Sequence, residues 1–224
     1  MTISNTSVDK ALQIVGCFTS SDVDLSLAEL HERMDLSKPS LHRLCTTLCN
    51  NGFLSKDTVT GRYRLGIKML EVAGIYLSAN KVYDSIWKIL NQMMELSNET
   101  VSLYKHENDS RKCIMRIESK SPLRHSVTVG QALPLDQGAA GKVILAETDH
   151  ELADIKMQGY AITYGEREAY LGAIATPIYD ENGDLFGALS ISGPVERIRN
   201  MNDKEITEQL KSHAKSLSTL VNYL

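Results

Sequence analysis

A chain of 224 residues, 42% hydrophobic and 23% charged, has the composition of a folded globular protein with one large or two smaller domains. No apolar run reaches the ~18 residues that span a bilayer, and the N-terminus MTISNTSVDK lacks a basic segment followed by an apolar one, so no transmembrane helix or signal peptide is expected and the expected setting is the cytoplasm. The net charge of −4 argues against nucleic acid only until its distribution is read. Over residues 37–68, Lys38, Arg43, Lys56, Arg62, Arg64 and Lys68 stand against Asp57 alone, a local charge of +5, whereas residues 81–224 hold 16 basic and 20 acidic residues. Local field rather than total charge draws phosphate, so a basic face on an acidic body suits a DNA reader with a separate control domain.

In chain order, Ser7 is placed to cap a first helix running to about Thr19, with Val8, Leu12, Val15 and Phe18 at the helical period. Residues 20–24 read as a polar loop. Ser26 with Glu29 three residues on is a capping box, and it opens a second helix with Leu27, Leu30 and Met34 inward. After a turn at Asp35-Leu36, Ser37 caps a third helix whose first turn tolerates Pro39 because no N–H partner is lost there. Leu41, Leu44, Cys45 and Leu48 form its inward stripe, and Asn51-Gly52 ends it. Residues 53–56 and 62–65 then pair around 57–61 as a hairpin wing. Ile67 to about Asn80 reads as a helix apolar nearly all round, which needs cover on several faces. A second copy of the chain is the expected cover, making this helix both linker and dimer contact, with a domain boundary at Asn80-Lys81.

The remainder alternates. A helix is predicted at 82–96, strands at 100–106, 112–118 and 125–129, helices at 138–146 and 149–158, and strands at 159–163, 171–179 and 185–192, with Asn182-Gly183 as a hairpin turn. A last helix begins at Asn202, with Glu205 three residues later, and buries Ile206, Leu210, Leu217, Leu220 and Leu224.

Two short helices, a tight turn and a basic wing are the parts that lay a helix in the DNA major groove. With the leucine stripe inside, the third helix presents Lys38, Ser40, His42, Arg43, Thr46, Thr47 and Asn50 outward. An arginine can fork onto guanine or a phosphate, a threonine can contact a thymine methyl, and Ser40 at the helix start suits a phosphate. Lys56, Arg62 and Tyr63 on the wing suit backbone contacts. The same face would also serve a winged helix that binds protein, which is one alternative.

Cys17, Cys45, Cys49 and Cys113 show neither disulfide nor zinc spacing. Cys45 and Cys49 share one helix face, as small buried residues or as a redox pair. His31, His42, His150 and His213 are scattered on predicted helices, and no HExxH, GxSxG or glycine phosphate loop is present. No metal, cofactor or catalysis is expected. A small-molecule enzyme with Cys113 as nucleophile is the second alternative.

Ser190 and Ser192 alternate on one strand and so share a face. Hydroxyls there are satisfied either by nearby backbone or by a ligand. Residues 136–141 open a helix whose free N–H groups favour an anion. Arg167 is placed to pair with a ligand carboxylate or with Glu166 or Glu168.

The runs SVDKALQIVGCF, LSLAEL, LSKPSLHRLCTTLCNNGFL and GRYRLGIKMLEVA resemble the N-terminal domain of IclR-type bacterial transcriptional regulators. VGQALPLDQGAAGKVILA and GAIATPIYDENGDLFGALSISGP resemble that family's C-terminal half, and the resemblance keeps motif order over nearly the whole chain. It implies an α+β protein: a winged helix-turn-helix domain at 1–65, a linker and dimerisation helix at 66–80, and a GAF-like effector-binding domain at 81–224. It further implies a homodimer or dimer of dimers on a pseudo-palindromic double-stranded DNA operator, most commonly a repressor, controlled by a small organic, carboxylic acid. Carried over by the motifs, the effector site comprises Gly138, Ala139, Ala140, Ala173, Ser190 and Ser192, to which the residue reading adds Arg167. The chain departs from the family in two ways. Only twelve residues separate ILA at 144–146 from GYAIT at 159–163, where relatives commonly have more. Ala173 and Thr163 stand where members that bind small oxo acids often carry a Cys and an acid, which points to a larger or more apolar acid here.

Overall fold

Ser26 and Glu29 form the capping box that the sequence forecasts. The Ser26 hydroxyl accepts the Glu29 N–H at 3.2 Å, and the Glu29 carboxylate accepts the Ser26 N–H at 2.6 Å. The computed structural model describes residues 6–19, 21–79, 81–121, 127–201 and 203–224, which divide into two compact units at residues 80 and 81. Asn80, Ser20, Asn202 and residues 125–126 of the forecast strand lie outside the described residues.

The first unit runs α1 (Thr6–Gly16), β1 (Asp24–Leu25), α2 (Leu27–Arg33), α3 (Lys38–Asn50), β2 (Leu54–Lys56), β3 (Tyr63–Leu65) and α4 (Ile67–Ala79). Its core gathers Ile14, Leu25, Leu30, Leu41, Cys45, Leu54 and Tyr63. The first helix forms but ends at Gly16 rather than near Thr19, with Ser7 inside it rather than before it; of its residues Ile14 is the buried one, while Val8 and Leu12, although at the helical period, are exposed. β1 was not foreseen, because two residues give no periodicity; Asp24 and Leu25 pair antiparallel with Arg64 and Tyr63, so β3 lies between β1 and β2. Gly66 is required where β3 turns into α4, since a Cβ there would collide with the Gly52 carbonyl. No residue of α4 is buried; Ile67, Leu70, Val72, Ile75 and Tyr76 are all about half exposed or more.

The second unit runs α5 (Lys81–Ser97), β4 (Thr100–Glu107), β5 (Ser110–Ile117), β6 (Ala132–Pro134), α6 (Ala139–Leu145), a 3-10 turn at His150–Leu152 leading into α7 (Ala153–Gln158), then β7 (Ala161–Tyr164), β8 (Leu171–Tyr179), β9 (Leu185–Pro194), α8 (Val195–Arg199) and α9 (Asp203–Leu217). The six strands form one antiparallel sheet in the order β6-β5-β4-β9-β8-β7. Residues 127–129 are not a strand; the neighbour of β5 is β6, three residues further on. α8 and β6 are each too short to announce themselves by pattern. The last helix stops at Leu217, and Val221 in a following 3-10 turn completes the burial that Leu220 and Leu224 were expected to provide.

One face of this sheet packs against α5 and α9 through Ile86, Leu90, Met93, Leu189, Ile191, Leu210 and Leu217. The other packs against α6 through Val143, Ile144, Ala175 and Ala188. Strand alternation therefore sends Leu189 and Ile191 to the large core, and Ala188, Ser190 and Ser192 to the α6 side. Among the described residues no helix is long and apolar enough to cross a membrane.

Candidate nucleic-acid interface and effector cavity

On α3, Leu41 and Cys45 are buried, while Lys38, His42, Arg43, Thr46, Thr47 and Asn50 are exposed and Ser40 is half-buried. Ser37 has extended backbone but gives no side-chain cap. The Thr46 hydroxyl donates to the His42 carbonyl at 2.9 Å and the Thr47 hydroxyl to the Arg43 carbonyl at 3.1 Å. With the hydroxyls bound to their own helix, the methyls are what these residues offer a groove, which suits a thymine methyl.

On the wing, Lys56 is exposed, but the two other expected contacts are corrected. Tyr63 is 2% exposed: β3 turns it into the core beside Leu54, with the Lys56 ammonium over its ring at 5.3 Å, and Arg64 takes the outward position. Arg62 is spent within the unit. Its Nε donates to Asp24 at 2.5 Å, and an Nη donates to the Asp24 carbonyl at 3.0 Å and to Glu29 at 3.1 Å. The hydrogen bonds from Ser26 first, and that from Arg62 after them, hold the Glu29 carboxyl down at about 2. The wing tip is tied by Asp57, whose carboxylate accepts the N–H groups of Val59 and Thr60 at 2.8 Å each, and Val59 stands 92% exposed on it.

In the second unit, one small cavity of about 30 Å³ brings together Gly138, Ala139, Ala140, Arg167, Ala173, Ser190 and Ser192, all seven residues expected to surround an effector. Register explains part of this: Thr163, Ala173 and Ser192 lie side by side across β7, β8 and β9. Among the described residues the Ser190 hydroxyl donates to the Ile191 carbonyl alone, at 3.4 Å. The helix start is less available than the sequence suggests, since Ala139 N–H donates to the Thr163 hydroxyl at 3.1 Å and Gly138 N–H to Glu166 at 3.3 Å. Glu166 also pairs with Lys142, and Arg167 lies 3.5 Å from Glu168.

Tyr104, Arg111, Thr163, Glu166 and Leu171 complete the lining; the sequence reading names Thr163 and Glu166 near the site without counting them in it, and does not find Tyr104, Arg111 or Leu171. Arg111 had a signal: burial alternates along β5, and a charged residue at 111 falls in phase with buried Cys113. It is 3% exposed, and burial pushes its guanidinium below the ordinary arginine range. Its Nη groups donate to the carbonyls of Pro134 and, at 2.8 Å, Gln137, and its guanidinium lies 5.5 Å from the Tyr104 ring centre. Burial pushes the neighbouring Cys113 thiol up to about 11, so it carries almost no thiolate at neutral pH.

A winged helix-turn-helix unit and a separate sheet unit with a small cavity of mixed apolar and polar lining are the two parts of a helix-turn-helix transcriptional regulator with an effector domain. The IclR helix-turn-helix domain matches residues 7–58, and the C-terminal domain of bacterial transcriptional regulator IclR matches residues 74–151 and 147–219. The chain belongs to the IclR family of transcriptional regulators. The two C-terminal matches overlap at residues 147–151, just after α6. The acetate operon repressor of Salmonella typhimurium is 27% identical over 90% of this chain and 84% of its own length. The regulator XynR of Escherichia coli is 25% identical over 97% of each chain. Among solved structures, an IclR regulator from Alicyclobacillus acidocaldarius superposes with a TM-score of 0.86 at 22% identity, covering 97% of this chain and 99% of that one. An IclR homologue from Microbacterium hydrocarbonoxydans in complex with 4-hydroxybenzoate superposes at 0.79 and 19% identity, covering 97% and 100%. At such identities these structures speak for the fold alone.

Proposed function

We propose that this regulator binds a pseudo-palindromic operator as a homodimer or dimer of dimers, and that a small carboxylic acid in the cavity of the second unit changes its hold on DNA. The observation that carries the DNA half is the split of α3 into a buried stripe and an exposed row of His42, Arg43, Thr46 and Thr47. Two such helices, one per subunit, read two half-sites a helical turn apart. Residues 1–65 serve as the DNA-binding domain, residues 66–80 as linker and dimer contact, and residues 81–224 as the effector domain. The uncovered apolar surface of α4 supports self-association. The arginines and serines set among the apolar residues of the cavity, and the 4-hydroxybenzoate complex of a relative, support an acid effector. Curated relatives named as repressors favour repression relieved by ligand. A DNA target supports a cytoplasmic setting.

The test is fluorescence anisotropy on the upstream intergenic DNA at two salt concentrations, beside a random duplex. Sequence-preferring binding that weakens steeply with salt is expected, because neutralised phosphates release counterions. Equal binding to both duplexes would overturn the reading.

A further inference from the structure

The charges around the cavity do not cancel. Lys142 is paired with Glu166, and Arg167 lies beside Glu168. That leaves Arg111. Among the described residues it has no carboxylate within ion-pair distance; Asp136 acts on it only from further away. The carbonyls of Pro134 and Gln137 satisfy its Nη groups without cancelling its charge, and its Nε is buried with no hydrogen-bond partner among the described residues. An arginine cannot shed its proton to escape burial, and a buried charge without a counter-charge is costly. A second structural device aims it. A bulge leaves Ile114 unpaired between the pairs Leu103–Met115 and Tyr104–Cys113, so β5 changes phase and sends Cys113 and Arg111 to the α6 side.

Building on the acid-effector reading above, we propose that Arg111 is the counter-charge for the effector's acidic group, and that the ligand therefore enters as a monoanion. The effector carboxylate completes an ion pair that the protein leaves open, with Ser190 and Ser192 beyond it on β9. Because Arg111 also holds the β6-to-α6 connection through Pro134 and Gln137, a ligand on this guanidinium pulls directly on the start of α6.

The experiment uses the full chain with arginine side chains labelled with 15N, following the Nε–H resonance of Arg111. The probes are acetate and 4-hydroxybenzoate, with acetamide and 4-hydroxybenzamide as neutral controls. A saturable shift of the Arg111 Nε–H with an acid and none with its amide is expected. Arg111→Lys should weaken acid binding by about tenfold or more while circular dichroism shows the fold retained. An acid that raises the unfolding midpoint but leaves the Arg111 resonance unmoved overturns the Arg111 assignment and spares the acid-effector reading. If neither acid nor amide binds, the acid-effector reading falls and the assignment with it.

Discussion

The guanidinium of Arg62 reaches from the wing to Asp24, with Nε 2.5 Å from the carboxylate, and the same side chain continues to Glu29 on α2. A residue that composition assigns to DNA is thus the brace that fixes the wing against the helix-turn-helix. Arg62→Ala should lower the thermal midpoint of the first unit and weaken DNA binding together. Lys56→Ala, which removes an exposed ammonium whose ring contact is with Tyr63, should weaken DNA binding with little change of the midpoint. A calorimetric scan beside an anisotropy titration distinguishes the two, and an unchanged midpoint in Arg62→Ala would show that the brace is idle.

The same network makes a pH prediction. Glu29 is held at about 2 in the folded unit, through Ser26 first and Arg62 after it, against about 4.3 in an unfolded chain. A depressed carboxyl contributes stability that is complete above the unfolded value and is lost as pH falls through the folded one. The unfolding midpoint should therefore decline between about pH 4 and pH 2, and Glu29→Gln should show a shallower decline.

Arg43 is exposed on α3, and its carbonyl is bound by the Thr47 hydroxyl. Arg43→Ala should cost about 1–3 kcal/mol of specific binding if the side chain reads a base, and should weaken every duplex equally if it holds a phosphate. Thr47→Val, which keeps a methyl and drops only a hydroxyl already spent on the helix, should retain sequence preference. Loss of preference in that variant would mean that the hydroxyl, not the methyl, makes the contact.

Ser192 lies beside Ala173 and faces the cavity. Its replacement by alanine removes no hydrogen bond found among the described residues, so the unfolding midpoint should change little. The acid response of DNA binding should weaken markedly while affinity without acid stays the same. A variant that fails to fold would make this hydroxyl structural.

Much of this was legible in the sequence because strong periodicity and caps declare themselves. The box at Ser26 and Glu29, the stripe of Leu41 and Cys45, and the alternation of Ser190 and Ser192 each follow from one local rule, and each is seen in the structure. What escaped depends on pairing. Tyr63 and Arg62 looked like wing surface until β1, two residues long, turned one into the core and bound the other. Arg111 could be suspected from its phase but not placed, because the bulge at Ile114 decides which face it meets. Glu166, placed in sequence only beside Arg167, instead takes the N–H of Gly138, a contact between segments 28 positions apart.

α4 carries a further consequence. A helix of 13 residues with no buried side chain has little of its own to hold it, since short helices are marginal in water and gain stability mainly by packing. If a second copy provides that packing, order in the linker and assembly are one equilibrium, and mass action governs both. Dilution would then do more than separate subunits: it would fray the segment that joins reading head to sensor, and a monomer would sense the acid without passing the message on. Helical content measured by circular dichroism across a dilution series should fall together with the sedimentation coefficient, and helicity that ignores concentration would uncouple the two.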